Sequence, residues 1–217
     1  DVDSERGLKR ALRLKELEEK YNVESTWFLL TDEYRLGKET ASRLAENGEV
    51  ASHGDMHDGR FQSLDSEILI ERLRRSRKKL EGLTECEVMG FRAPLLQYGM
   101  NMIKAVKEAC FTYDSSMPTW EPVRPSTMKP GGVELTNVVR VHGILEVPVT
   151  ITQDHQMLRI LKLSPKQVVQ EWKRLACELS GVGICIFLIH PDYELASREN
   201  LAYYEELLRM AKDMSPM

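Results

Sequence analysis

The feature of this sequence that most restricts its fold is a repeated alternation of short apolar runs with longer amphipathic segments. Residues 8–21 place leucines at helical spacing, and residues 23–30 are then rich in β-forming side chains. The same spacing predicts further helices over 36–47, 65–80, 101–109, 164–179 and 197–210, and strands over 49–52, 87–91, 111–114, 144–151 and 183–189. Strands that alternate with helices are typical of βαβ units and a parallel sheet.

A strand that would end at Asp1 brings the predicted strands to seven. Seven parallel strands favour a closed or nearly closed β/α barrel, with an open doubly wound sheet as the second choice. At 217 residues, with no segment that reads as a linker, the chain fits a single domain over 1–217. We expect most of its first strand to lie upstream of Asp1.

Composition excludes several classes of partner. A net charge of −4 gives no reason to expect nucleic acid, and no apolar run approaches the roughly 20 residues that span a bilayer. The absence of a recognisable leader favours a cytoplasmic protein. None of the four cysteines forms a CxxC pair, and we expect them to be reduced and buried. A homo-oligomer is left open.

Polar side chains cluster where the predicted strands end. In β/α barrels the active site lies at the carboxyl ends of the strands. Here these ends carry Ser52 to His57, Gly90 to Pro94, Tyr113 to Ser116, Gln153 to His155 and Ile189 to Asp192, with Asp1 and Asp3 after the first strand. The convergence predicts one active site built from most of the strands.

His53 and His57 are four residues apart after a predicted strand. This spacing presents two imidazoles on one side of a turn, as a divalent metal requires, and a carboxylate as third ligand would leave a position open for substrate. The alternative is a pair of loop histidines with structural hydrogen bonds. The DxD sequence at another strand end favours the metal.

Five short motifs give the chain its resemblance to a known family. DVDSERG, SHGDMH, GFRAP, YDSS and FLIH occur in the order and spacing of the polysaccharide deacetylases, the NodB-homology proteins of carbohydrate esterase family 4. The DxD form of the first motif is similar to that of the subgroup containing intracellular deacetylases and allantoinase-like members. The resemblance implies a distorted (β/α)7 barrel and hydrolysis of a non-peptide C–N amide bond.

The resemblance also implies roles for individual residues. Asp3, His53 and His57 would hold Zn²⁺, or another divalent transition metal such as Co²⁺, Ni²⁺ or Fe²⁺. Asp1 would be the catalytic base, held by Arg92, and His190 the general acid. Asp154 would orient that histidine.

Substrate contacts are predicted more loosely. The backbone N–H of Leu95 would stabilise the oxyanion, and Leu188 would shape the pocket for the acyl methyl. Tyr98 and Trp120 are candidate sugar-stacking rings, with packing as the ordinary interpretation. Trp27 and Trp172 are interpreted as core residues.

Departures from the family pattern bear on the substrate more than on the reaction. Gly54 replaces a usual Ser or Thr, Leu95 a residue that is often aromatic, and His155 a residue that is often Trp. The leading hypothesis is N-deacetylation of an N-acetylated sugar or polysaccharide. The alternatives are an allantoinase-like cyclic amide or ureide hydrolase, and a degenerate protein that binds carbohydrate or metal without turnover.

Overall fold

The computed structural model describes residues 1–119 and 135–214. Its main element is a six-stranded sheet in the order β1-β2-β3-β4-β6-β5. The strands are β1 (Thr26–Leu29), β2 (Glu49–Ser52), β3 (Gly90–Phe91), β4 (Tyr113–Asp114), β5 (Val139–Val141) and β6 (Ile144–Glu146). From β1 to β6 neighbouring strands pair in parallel, which confirms the predicted α/β architecture.

The helices fall where the amphipathic segments predict them. They are α1 (Glu5–Tyr21), α2 (Lys38–Ala45), α3 (Ser66–Thr84), α4 (Met100–Glu108), α5 (Pro165–Leu179) and α6 (Leu201–Met214). Local signals set their ends: the Ser4 side chain accepts a hydrogen bond from Gly7, and left-handed Asn22 ends α1. Ser164 and Gln167 form a capping box that starts α5.

Two details of the sheet differ from the sequence prediction. β5 pairs antiparallel with β6 as a hairpin, so the strands are not all parallel. The predicted strand over 183–189 is wrong as a regular strand, because this segment makes isolated hydrogen bonds instead of a ladder. The segment is apolar because it packs against the core, where Leu188 is buried and its neighbours are half-buried, and periodicity alone cannot distinguish this packing from strand pairing.

These isolated hydrogen bonds nevertheless link the segments that flank the sheet, from Asp154 through residues 188 and 189 to Asp1. The Asp1 backbone nitrogen donates to the Ile189 carbonyl at 2.8 Å, and the Asp154 amide donates to the Leu188 carbonyl at 3.3 Å. On the other side, Val2 pairs in parallel with Leu29. The result is a distorted barrel in which Asp1 lies between the end of β1 and Ile189.

The core confirms the predicted tryptophans. Trp27 and Trp172 are both buried, and the Trp172 indole donates to the Thr152 carbonyl at 2.8 Å. The prediction of buried cysteines is wrong: all four are free, three are exposed and Cys185 is half-buried. Ala109 and Phe111 on either side of Cys110, and Ala176 before Cys177, are buried whereas these cysteines are not, a difference that adjacency in sequence does not resolve. Among the described residues, none of the helices is long and apolar enough to cross a bilayer.

Candidate metal centre

Asp3, His53 and His57 come together at the carboxyl end of the sheet. His53 and His57 follow β2, and Asp3 follows the residue that pairs with the end of β1. The Asp3 carboxylate lies 3.4 Å from Nε2 of His53 and 3.7 Å from Nε2 of His57. One ligand atom from each of the three residues lies within 4.8 Å of the other two, so one ion could contact all three.

The hydrogen bonds of His53 define which ring nitrogen faces the site. Its Nδ1 lies 2.7 Å from the Arg92 carbonyl, and because a carbonyl only accepts, Nδ1 carries the proton. In the neutral imidazole, Nε2 is then the unprotonated acceptor, and it is directed at the Asp3 carboxylate. Burial lowers the pKa of both His53 and His57, which keeps the imidazoles neutral, as metal ligands need to be.

The donor set fits a divalent cation. Nε2 of His53 and Oδ1 of Asp3 are buried atoms without a hydrogen-bond partner in the part of the chain that the structure describes. Two buried acceptors that face each other without a proton destabilise the folded state, and a cation between them would remove this free-energy penalty. Burial by itself would raise the pKa of Asp3, but the adjacent His190 holds this pKa well below its usual range, so the carboxylate is ionised.

The loop between the two histidines requires a glycine. Gly54 has a φ of 87°, and a Cβ at this position would lie 2.5 Å from the Phe61 ring. A Ser or Thr here would be strained and would collide with that ring. The close approach of this loop to Phe61 therefore explains why Gly54 stands where the family usually has Ser or Thr.

Asp1 and Arg92 form a buried ion pair beside this cluster. The Arg92 guanidinium donates to Oδ1 of Asp1 at 2.9 Å. It also donates to the carbonyl and the hydroxyl of Ser115 and packs over the Phe28 ring. Oδ2 of Asp1 lies 3.9 Å from Nε2 of both His53 and His190, so the second oxygen of the carboxylate points into the site.

His190 and Asp154 form a second buried pair. Oδ1 of Asp154 accepts from Nδ1 of the imidazole at 2.6 Å, and Oδ2 accepts from the His190 backbone N–H at 2.8 Å. Both residues are buried. This pairing leaves Nε2 of His190 facing Asp3 at 3.6 Å. Nε2 is therefore the ring atom that can give a proton to a group bound in the site.

The turn that follows β3 is strained. Leu95 and Leu96 have φ values of 58° and 50°, and a non-glycine residue in this region costs about 1–3 kcal/mol. The Ala93 N–H donates to the Ser116 hydroxyl at 2.8 Å, and the Gln97 side chain donates to the Gly59 carbonyl at 2.6 Å. Strain held in place at a site is typical of a backbone that presents a group to a ligand.

The cavity above the cluster is small, about 50 Å³. Leu95 belongs to its lining, and its role as an oxyanion donor stays a prediction, whereas Leu188 is not part of the lining and packs against Leu96 and Val149. Tyr98 is half-buried against the main core and does not border this cavity. Trp120 lies outside the described residues. A role for Leu188, Tyr98 or Trp120 in substrate binding stays a prediction.

Sequence reasoning missed some residues of the site. Tyr193 lines the cavity, with its ring centroid 5.2 Å from that of His190 and 5.4 Å from that of His155. Asp192, which the sequence placed among the polar residues after the FLIH motif without giving it a role, accepts from the Asp3 backbone N–H at 3.1 Å. Tyr193 is the next residue, one position beyond that predicted cluster. Glu33, which accepts from the His57 N–H at 3.0 Å, has no such signal.

Comparison with known proteins supports this architecture. The family model for polysaccharide deacetylase matches residues 13–113, whereas none of the curated proteins matches the sequence. A protein from Mycobacterium smegmatis assigned to the polysaccharide deacetylases superposes with a TM-score of 0.74 at 20% identity, covering 96% of this chain and 71% of its own.

Two further solved structures share the fold. One is a carbohydrate esterase family 4 pseudoenzyme from Bacillus anthracis (TM-score 0.63, 15% identity, 97% of this chain and 59% of its own). The other is the PuuE allantoinase (TM-score 0.65, 20% identity, 95% of this chain and 66% of its own). The chain thus spans between 59% and 71% of the length of these three proteins. The match of the family model over residues 13–113 and the shared barrel fold make this chain similar to the polysaccharide deacetylases of the NodB-homology type.

Proposed function

We propose that this protein is a metal-dependent hydrolase that removes the acetyl group from an N-acetylated sugar or polysaccharide. The observation that carries the proposal is the cluster of Asp3, His53 and His57, in which two buried acceptor atoms face each other without a partner among residues 1–119 and 135–214. Two buried acid–base pairs adjoin this cluster. Together these groups meet the requirements of amide hydrolysis.

Asp3, His53 and His57 would hold Zn²⁺ or a similar divalent transition metal. When bound, such a cation supplies Lewis acidity, which makes water more acidic and an acyl carbonyl more electrophilic. Carboxylate and imidazole ligands suit these metals. Three protein ligands leave room for water and substrate.

Asp1 is the general base in this proposal. Arg92 occupies its Oδ1, so Oδ2 is the oxygen that receives the proton when water adds to the acyl carbon. The ion pair holds the carboxylate in one orientation, and its burial excludes bulk water. The carbonyl oxygen, now negative, would accept a hydrogen bond from the Leu95 N–H.

His190 is the general acid. Asp154 holds the proton on Nδ1, so a second proton can reside only on Nε2. Transfer of that proton to the departing nitrogen accompanies cleavage of the C–N bond and leaves acetate and a free amine.

The size of the cavity favours a small acyl group on a larger, open-lying substrate. About 50 Å³ admits a methyl or acetyl group, whereas pockets that enclose a whole ligand usually exceed about 300 Å³. A sugar ring would therefore lie outside this cavity. The likeness to an allantoinase concerns the fold alone. The presence of all three ligand residues and both acid–base pairs argues against a degenerate site.

An acetate-release assay tests the proposal. The protein is freed of metal by chelation, reloaded with Zn²⁺ or Co²⁺, and incubated with short N-acetylglucosamine oligomers. We expect metal-dependent release of acetate and amine in equal amounts, and His190→Asn should lower the rate by about 10²–10⁴-fold while retaining metal. Turnover of allantoin but not of these oligomers would instead establish a cyclic ureide hydrolase. Stoichiometric metal with no turnover of either would refute the catalytic proposal.

A further inference from the structure

Two carboxyl groups that the proposed reaction does not use are buried beside each other in the sheet. Asp114 of β4 and Glu146 of β6 occupy paired positions in neighbouring strands, and both are fully buried. Tyr113, Ser115 and Val147 line a second cavity, of about 420 Å³, which is separate from the one above the metal cluster. Because side chains alternate along a strand, the pair lies on the opposite face of the sheet.

The hydrogen bonds of the pair lead to the strained turn. Glu146 accepts from the Met117 N–H at 2.9 Å. Asp114 accepts from the Ser116 hydroxyl, whose oxygen in turn accepts from the Ala93 N–H at 2.8 Å. The Ser116 hydroxyl therefore connects the pair to the turn of residues 93–96, in which Leu95 has a left-handed backbone conformation. We call this connection from Asp114 through Ser116 to Ala93 the relay.

One oxygen of each carboxyl has no donor. Oδ2 of Asp114 and Oε2 of Glu146 are buried and lack a hydrogen-bond partner within the described part of the chain. Two adjacent carboxylates cannot both be charged without strong repulsion, whereas one proton between them satisfies both oxygens. Burial raises the pKa of both groups, to about 6 for Asp114 and to about 9 for Glu146. Arg92 is the basic group that acts on the pair and opposes this shift.

We propose that Asp114 and Glu146 share one proton and act through Ser116 as a positioning pair, which holds the turn of residues 93–96 so that the Leu95 N–H faces the substrate. The inference rests on the proposed function for the role of Leu95, but the shared proton and the hold on the turn can be measured without substrate. Neither carboxyl touches the reacting atoms. Loss of the shared proton at alkaline pH would leave two facing charges and loosen the relay.

Hydrogen–deuterium exchange of the turn tests the structural part. Ser116→Ala and Glu146→Ala should each speed exchange in the peptide that covers residues 93–97 by about 5–10-fold. The first variant removes the hydroxyl that joins Asp114 to Ala93, and the second removes the carboxyl that shares a proton with Asp114. Glu146→Gln should leave exchange near the wild-type rate, since its amide keeps an acceptor for Met117 and supplies a fixed donor to Asp114. Unchanged exchange in both alanine variants would overturn the proposal, whether or not the protein is a deacetylase.

The pH profile tests the shared proton. Protection of the turn in the wild type should fall above about pH 9, and Glu146→Gln should abolish that fall while changing kcat at pH 7 by less than about threefold. Protection is the readout because turnover also falls when His190 loses the proton that it donates. Glu18→Gln is the matched control, because Glu18 is also buried with a raised pKa but bonds to Tyr204. It should keep the alkaline fall. An alkaline fall that persists in Glu146→Gln would refute the shared proton, whereas inactivity of the wild type with normal protection data would refute only the proposed function.

Discussion

Zinc should stabilise the metal-free protein strongly, and the structure allows the size of this effect to be worked out. Oδ1 of Asp3 and Nε2 of His53 are buried without partners among the described residues, and each such atom costs about 1–3 kcal/mol. Ligation removes that cost and adds binding energy to the folded state alone. At a free zinc concentration about 1,000 times Kd, the gain is about 4 kcal/mol.

For a domain of this size, 1 kcal/mol moves the midpoint of thermal unfolding by about 2–4 °C. We therefore expect zinc to raise the midpoint by roughly 8–16 °C, measured by circular dichroism against the chelated protein. His53→Ala should reduce this rise to less than about 2 °C, because the ring nitrogen that faces Asp3 is gone.

The matched control is His142→Asn. His142 is exposed on the β5–β6 hairpin, far in sequence from the ligands, and its φ of 49° suits asparagine. This variant should keep the full zinc-induced rise. An equal rise in the wild type and in His53→Ala would refute the assigned ligands, as would the absence of any rise in the wild type.

The remaining predictions concern pH and packing. Burial places the pKa of folded His53 and His57 below the unfolded value of 6.5, so the folded state binds fewer protons, and stability should fall as pH drops below about 6.5. The zinc-induced rise should shrink over the same window, and a rise that is constant from pH 7.5 to 5 would contradict neutral histidine ligands. Trp172→Ala should lower the free energy of unfolding by about 3–5 kcal/mol, because the indole is fully buried and bonded to Thr152. Denaturant titration measures this effect, and a loss below about 1 kcal/mol would mean that the site repacks.

Local patterns predicted most of the architecture. Helical spacing located all six α-helices of the described residues because each has one apolar face that is buried in the core. Strand positions were less well defined, and residues 183–189 have the composition of a buried strand without its ladder. β5 was missed, and β6 is shorter than the strand predicted over 144–151, because three-residue strands carry little periodic signal.

For the site too, the sequence predicted which residues take part, and only the fold shows how they are arranged. The sequence placed polar residues at strand ends, and the motif resemblance proposed Asp3, His53 and His57 as one group. Neither source contains a distance. Only the fold brings the Asp3 carboxylate to 3.4 Å from His53, across 50 positions of the chain, and Asp154 to 2.6 Å from Nδ1 of His190.

The sequence by itself therefore determined which elements form and which motif places His53 and His57 in one loop. Both depend on interactions between residues close in sequence. The tertiary structure alone decided which acceptors lack partners, that Asp114 and Glu146 face each other, and that the turn at Leu95 is strained. Burial, pKa and hydrogen-bond satisfaction depend on atoms that come together only when distant segments pack.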